Sequence, residues 1–229
     1  TMSEIKLIQG DCLKKMKDIS DESIDLTVTS PPYDNLRSYK GNNKLWKEDI
    51  WKSVIKDLLR ITKQGGVVVW IVGDATSKGS ETGTSFKQAL WAKDCGFNLH
   101  DTMIYKKQNY MVLNHNRYEQ AFEYMFVLSK GKPKTFNPIK IPCKYAGERS
   151  DRPLNKKMKK RNENSAMQNK LTKGTRKPKL TKDKKIKGNI WNYKVGYGHT
   201  TKDREAYKHP AIFPEKLAYD HIISWSNKG

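Results

Sequence analysis

The stretch SIDLTVTSPPYDNLRSY, residues 23–39, runs a β-branched apolar segment straight into a Ser-Pro-Pro-Tyr corner. Ile24, Leu26 and Val28 with Thr27 and Thr29 have the composition of a buried strand. Pro31 and Pro32 carry no backbone N–H and hold φ near −65°, so a regular ladder must stop there. In an open α/β sheet, ligands sit beyond the carboxyl ends of the strands. The corner of Ser30, Pro31, Pro32 and Tyr33 therefore belongs at the mouth of a crevice.

Outward from this stretch, IKLIQ (5–9) and VVVWIV (67–72) read as further strands of a parallel sheet buried on both faces. Between them KLWKEDIWKSVIKDLLRITK places Trp46, Ile50, Trp51, Val54, Ile55, Leu58 and Leu59 at helical spacing. That pattern predicts a helix ending at Gly65-Gly66. A second helix is predicted over Ser85–Cys95, stopped by Gly96, followed by strands LHDTMIYK and FEYMFVLS. Near the end, HPAIFPEKLAYDHIISWS predicts a helix opened by Pro214, with Leu217, Ala218, Ile222 and Trp225 on one face. Strands alternating with helices give an α/β class.

Charge is distributed unevenly along the 229 residues. Lys and Arg number 45 against 24 Asp and Glu, for a formal net charge of +21. Between Lys130 and Lys187 there are 21 basic residues and four acidic ones, so this segment carries +17 of the surplus. Such an excess calls for a polyanionic partner, of which nucleic acid is the commonest. A solvated insert with too little apolar surface to fold alone has the same composition. Cys12, Cys95 and Cys143 have neither metal-ligand nor disulfide spacing, which predicts a reducing cytoplasm and no metal. No uncharged apolar run of about 18 residues is present, and TMSEIKL lacks the pattern of a secretion signal.

The corner itself suggests chemistry. The Ser30 hydroxyl and the Pro31 carbonyl offer two acceptors, and Tyr33 offers an aromatic ring. Together they suit a planar base bearing an exocyclic amine. Its nitrogen lone pair is delocalised into the ring and is a poor nucleophile. Accepting both N–H bonds would localise that pair for attack, by positioning rather than by strong general base catalysis. A base inside a duplex must leave the stack to reach such a site. A plain diproline turn is the alternative.

Thr29-Ser30-Pro31-Pro32-Tyr33, followed by Leu36-Arg37-Ser38-Tyr39, resembles the catalytic motif of amino-group DNA methyltransferases. The resemblance extends through Gly10-Asp11-Cys12-Leu13, Gly65-Gly66, Gly96-Phe97, Tyr105-Lys106-Lys107 and Glu123 to Gly131. It closes with Ile190-Trp191 and His209 to Leu217. This order resembles the β group of the family, in which the catalytic motif precedes target recognition and the cofactor motif. The resemblance implies a Rossmann-like methyltransferase sheet with helices on both faces, in circularly permuted motif order, with a basic insert. It divides the chain into a first catalytic part (1–141), a target-recognition insert (142–188) and a return to the core (189–229).

The resemblance also implies S-adenosylmethionine as methyl donor and double-stranded DNA as substrate. Ser30, Pro31, Pro32 and Tyr33 would hold the base. Asp11, His209, Pro210, Phe213 and Pro214 would line the donor, although Asp11 has the alternative of capping the helix CLKKMKDI. Arg37, Arg149, Arg152, Arg161 and Arg176 are DNA-contact candidates, because arginine most often reads guanine. Asp74, in the loop GDATSKGSETGTS (73–85), is a further site candidate. A serine opening the motif favours cytosine N4 over adenine N6. In the family, the HPAxFP helix leads to a strand and a glycine-rich cofactor loop, whereas this sequence stops at SWSNKG. The expectations are that the chain alone binds the donor weakly, and that a homodimer or a complementing C-terminal segment completes it. An RNA or protein-amide methyltransferase and a non-catalytic DNA-binding module are the competing readings.

Overall fold

The computed structural model describes residues 4–34, 46–110, 112, 116–147 and 182–227. In chain order these give α1 (Cys12–Met16), β1 (Ile24–Thr29), α2 (Glu48–Ile61), β2 (Thr62–Val72), β3 (Thr76–Ser77) and β4 (Ser80–Glu81). Then come α3 (Thr84–Cys95), β5 (Asn98–Lys107), β6 (Phe122–Ser129), β7 (Lys140–Pro142), β8 (Lys184–Ile186) and β9 (Ile190–Tyr193). A 3₁₀ turn at Glu205–Lys208 precedes α4 (Glu215–Trp225). The chain divides into two units, one of Thr1–Asn137 with Gly188–Gly229 and one of Pro138–Lys187.

The main sheet has the order β1-β2-β6-β5-β9. β1 runs parallel to β2 and β9 parallel to β5, while β6 is antiparallel to both β2 and β5. The parallel pairing expected of SIDLTVT and VVVWIV is present, within a sheet that is mixed overall. β5 leads through residues 108–121 into β6, and the two pair as antiparallel neighbours. Four strands still point the same way, so the corner after β1 and the loops after β2, β5 and β9 share one edge.

β2 is the centre of the core. Val67 to Val72 are all buried, as alternation on a sheet covered on both faces requires. On one face Val68, Trp70 and Val72 pack with Trp51, Val54, Ile55, Leu58 and Ile61 of α2 and Ala89 and Ala92 of α3. The Trp70 indole N–H, which would be costly to bury alone, donates to Gln88 Oε1 at 2.8 Å. α2 opens with Glu48 and Asp49, whose charges suit a helix N-terminus.

Three local expectations are corrected. α2 ends at Ile61, not at Gly65-Gly66, because Thr62 turns extended and its hydroxyl takes the Leu58 carbonyl at 2.5 Å. Gly65 then bends the strand at φ +83°, where a Cβ would meet Lys134 Cγ at 2.4 Å. IKLIQ forms no strand. Ile5 and Leu7 are 86% and 92% exposed, and β1 has no partner on its other edge among the described residues. A strand's apolar composition is not enough without a neighbour to pair with.

The third correction concerns α4. Leu217 and Trp225 are buried as expected, but Ala218 is only half-buried and Ile222 is 48% exposed. The inward face is Leu217, Asp220, His221, Ser224 and Trp225. Asp220 and Ser224 on this face are hydrogen-bonded: Tyr193 Oη donates to Asp220 Oδ2 at 2.9 Å, and Ser224 Oγ to the Asp220 carbonyl at 2.6 Å. His221 stacks on Trp191, and its Nε2 lies 3.2 Å from Met125 Sδ. Burial pulls the His221 pKa down to about 4, against a smaller opposing pull from Asp220.

In the second unit, β7 and β8 pair antiparallel, Lys140 opposite Ile186 and Pro142 opposite Lys184. This ladder brings the two ends of the basic insert together.

Two outcomes follow from α4. Leu217→Ala should cost about 2–5 kcal/mol in urea unfolding, and Ile222→Ser under about 1 kcal/mol. His221 is neutral when folded, so the unfolded chain binds its proton first. Stability is therefore complete above about pH 6.5 and is lost as pH falls toward 4. The contribution lost between pH 7 and pH 5 should be about 2 kcal/mol, and His221→Leu should remove that slope.

Candidate active site

The corner that follows β1 is held from three sides. Pro31 is buried, and Pro32, Tyr33 and Asp34 are half-buried. Ser30 Oγ lies 2.7 Å from Tyr33 Oη, and Tyr33 Oη donates to Glu123 Oε2 at 2.8 Å. Glu123, at the start of β6, holds Lys107 Nζ on its other oxygen at 2.6 Å, and both side chains are largely shielded from solvent. The Tyr33 ring lies over Gly73, where an added Cβ would sit 3.5 Å from the ring. Among the described residues no backbone hydrogen bond uses the Pro31 carbonyl.

Tyr33 is thus anchored by its hydroxyl. Burial, and then the Glu123 charge, push its ionisation well above the usual phenol range. The same two causes raise Tyr105. Neither ring serves as a phenolate base; Tyr33 acts as a neutral hydroxyl.

The loop after β2 is tied to this corner. Thr82 Oγ1 donates to Asp34 Oδ2 at 2.6 Å. Asp74 accepts from the Ser85 backbone N–H at 2.9 Å and from Ser85 Oγ at 2.5 Å. Asp74 thereby satisfies an orphan N–H in the first turn of α3, whose own cap position is a left-handed Gly83. Its carboxylate is occupied by structure.

The other sequence-predicted residues lie in separate places. Asp11 is exposed and caps α1, its Oδ1 accepting from Lys14 N at 3.2 Å. His209 and Pro210 are exposed, Phe213 is half-buried, and Pro214 is buried at the cap of α4. His209 Nδ1 accepts from Ala211 N at 3.2 Å. For a methyl donor these residues fit one wall only: the half-buried Phe213 and buried Pro214 are apolar, as a methionine chain needs. Arg37, Arg149, Arg152, Arg161 and Arg176 lie outside the described residues. Among the described residues no group of His, Cys, Asp and Glu could hold a metal, and no helix is long and apolar enough to cross a membrane.

Glu123 and Lys107 were given no role by the sequence, although both were part of its pattern. A lone carboxylate opening an otherwise apolar strand, at the crevice edge, was the available signal.

A family model described as DNA methylase matches residues 24–229. Orphan methyltransferase M.BamHII of Bacillus amyloliquefaciens is 49% identical over 213 residues, covering 93% of this chain and 76% of that protein. Type II methyltransferase M.BglII of Bacillus subtilis is 25% identical over 227 residues, covering 96% of this chain and 56% of its own length. Among solved structures, PvuII DNA methyltransferase (cytosine-N4-specific) superposes with a TM-score of 0.63 at 18% identity. That match covers 95% of this chain and 69% of the other, a likeness of fold.

Asp74→Ala should lower unfolding stability by about 1–2 kcal/mol through the lost bonds to Ser85, and Asp74→Asn should recover part of it. Urea midpoints of the three proteins check this.

Proposed function

The chain belongs to the N6/N4 DNA methylase family, of S-adenosylmethionine-dependent amino-methyltransferases, and we propose that it methylates the exocyclic amine of a base flipped from duplex DNA, cytosine N4 in preference to adenine N6. The observation that carries this reading is the corner at the carboxyl edge of the sheet, where the Ser30 hydroxyl meets the Tyr33 hydroxyl at 2.7 Å and the Pro31 carbonyl is used by no backbone hydrogen bond among the described residues. The serine at the first position of the corner supports cytosine, being a short, neutral acceptor.

When bound, the donor supplies an electrophilic methyl group on a sulfonium. Phe213 and Pro214, with His209 and Pro210, would hold its methionine side, and Asp11 its adenosine side. The chain's own work is at the base. Ser30 Oγ and the Pro31 carbonyl accept the two amine N–H bonds and draw the nitrogen toward tetrahedral geometry, which localises its lone pair. Tyr33 packs against the ring of the base. Neither acceptor is a strong base, so the gain comes from placement and from excluding water. The basic insert, 142–188 with Arg149, Arg152, Arg161 and Arg176, contacts phosphates and reads the duplex, and Arg37 contacts DNA beside the corner.

The edge of β1, which carries no partner strand among the described residues, and the exposed Ile5, Leu7 and Ile8 support pairing with a further strand, from a second copy or a complementing segment.

Incubation with unmethylated genomic DNA and labelled donor, then digestion to nucleosides and mass analysis, should yield N4-methylcytosine. N6-methyladenine would reassign the target, and no methylated nucleoside would overturn the reading. Duplex binding should weaken with salt by a log–log slope of about 0.9 per neutralised phosphate.

A further inference from the structure

The proton count along the Ser30–Tyr33–Glu123 chain fixes more than the position of the tyrosine. Lys107 has only donors, so Glu123 Oε1 must be an acceptor toward it at 2.6 Å. Ion-paired with the Lys107 ammonium, Glu123 is a carboxylate with no hydrogen to give, and Tyr33 donates its single hydroxyl proton to Oε2 at 2.8 Å. That leaves Tyr33 Oη with only lone pairs toward Ser30. The 2.7 Å contact between the two hydroxyls has no assigned donor by geometry alone, but the count assigns it: Ser30 donates to Tyr33. Ser30 has then used its own proton inward, and what it presents outward is lone pairs.

We propose that Glu123, anchored by Lys107, is a positioning residue that fixes the direction of these hydrogen bonds and so makes Ser30 an obligate acceptor for the substrate amine. This rests on the methyltransferase reading above. An unaided serine hydroxyl offers a donor as readily as an acceptor. Toward an amine the donor orientation is repulsive and the acceptor orientation productive. Toward a keto oxygen at the same ring position the preference reverses. Glu123 therefore acts on selection between amine and keto bases as well as on rate, through two hydroxyls and without touching the base. The surroundings suit this work. Glu123 is largely shielded, and in such a setting each hydrogen bond is stronger and a misdirected one more costly.

Glu123→Gln tests the direction while nearly keeping the shape. The Gln carbonyl must face Lys107, so its NH₂ faces Tyr33 and donates. Tyr33 then donates to Ser30, and the Ser30 proton turns toward the base. The expected result is a loss in kcat of about a hundredfold, with KM for DNA changed less than about threefold because phosphate contacts are untouched. Melting temperature should stay within about 3 °C, since one buried hydrogen bond is exchanged for another. In a Tyr33→Phe background the chain is already cut, so adding Glu123→Gln should change kcat less than about threefold.

Binding supplies a readout apart from turnover. Duplexes carrying the methylated sequence, with the target amine base or its keto counterpart (uracil for cytosine, hypoxanthine for adenine), should show preference for the amine base with the wild-type chain. Glu123→Gln should lose that preference or invert it. A Glu123→Gln protein that keeps both its kcat and its amine preference overturns the inference, as does an effect that is undiminished in the Tyr33→Phe background. A wild-type chain that methylates no DNA fails earlier and differently: it overturns the function itself and this inference with it.

Discussion

The pairing of β2 with β1 on one side and β6 on the other is the constraint on which the rest depends. β1 lies parallel to β2 with Leu26 opposite Val67 and Thr29 opposite Trp70, so both strands deliver their carboxyl ends to one edge. β6 lies antiparallel, so it delivers its first residues to that edge, with Tyr124 opposite Val72. An antiparallel neighbour is what brings Glu123 to Tyr33. In an all-parallel sheet the start of that strand would lie at the far end, and Glu123 could not reach the corner. The mixed sheet is therefore a condition of the site and not a variation in the fold.

The burial of β2 on both faces also explains why the edge is rigid. Its six apolar residues from Val67 to Val72 are fixed between α2 and α3 on one face and the face that meets α4 on the other. The loop that leaves it is then held twice, by Asp74 on Ser85 and by Thr82 on Asp34. Each side chain at the corner is thus supported by an element with its own place in the core. Rigid support of this kind is what a positioning mechanism needs, because weak acceptors act only when their geometry is fixed in advance.

Much of this was legible in the sequence, for reasons that differ by element. β6 appears with the bounds expected, since FEYMFVLS is apolar on both faces and bounded by a Lys-Gly turn. α2 and α3 carry helical spacing, and Gly96 stops α3 at φ +120° as its composition suggested. What failed was whatever depended on a neighbour. IKLIQ has strand composition but no partner among the described residues. The face of α4 was misjudged because apolar periodicity cannot see that Asp220 is taken by Tyr193 and that His221 rests on Trp191. The end of α2 was misjudged because two glycines are a stronger signal than one threonine, yet Thr62 caps the helix first. In the candidate site the four corner residues were legible and their hydrogen-bond partners were not: Tyr33 and Glu123 are 90 residues apart in sequence.

That separation bears on how the corner works. In the proposed reading, serine, proline and tyrosine within four residues supply the groups that would meet the base, and a local motif is enough for that. The motif does not specify which way the hydroxyl protons point. A hydroxyl chain with no charged terminus has two directions of similar energy, and only one presents an acceptor to an amine. The carboxylate at one end breaks the tie, and a lysine on its far oxygen keeps it from serving as a donor itself. Lys107 comes from the end of β5 and Glu123 from the start of β6, so the tie is broken by the antiparallel pair rather than by the corner. Chemistry read from a short motif is in this sense incomplete: the motif supplies the atoms, and the sheet supplies the sign.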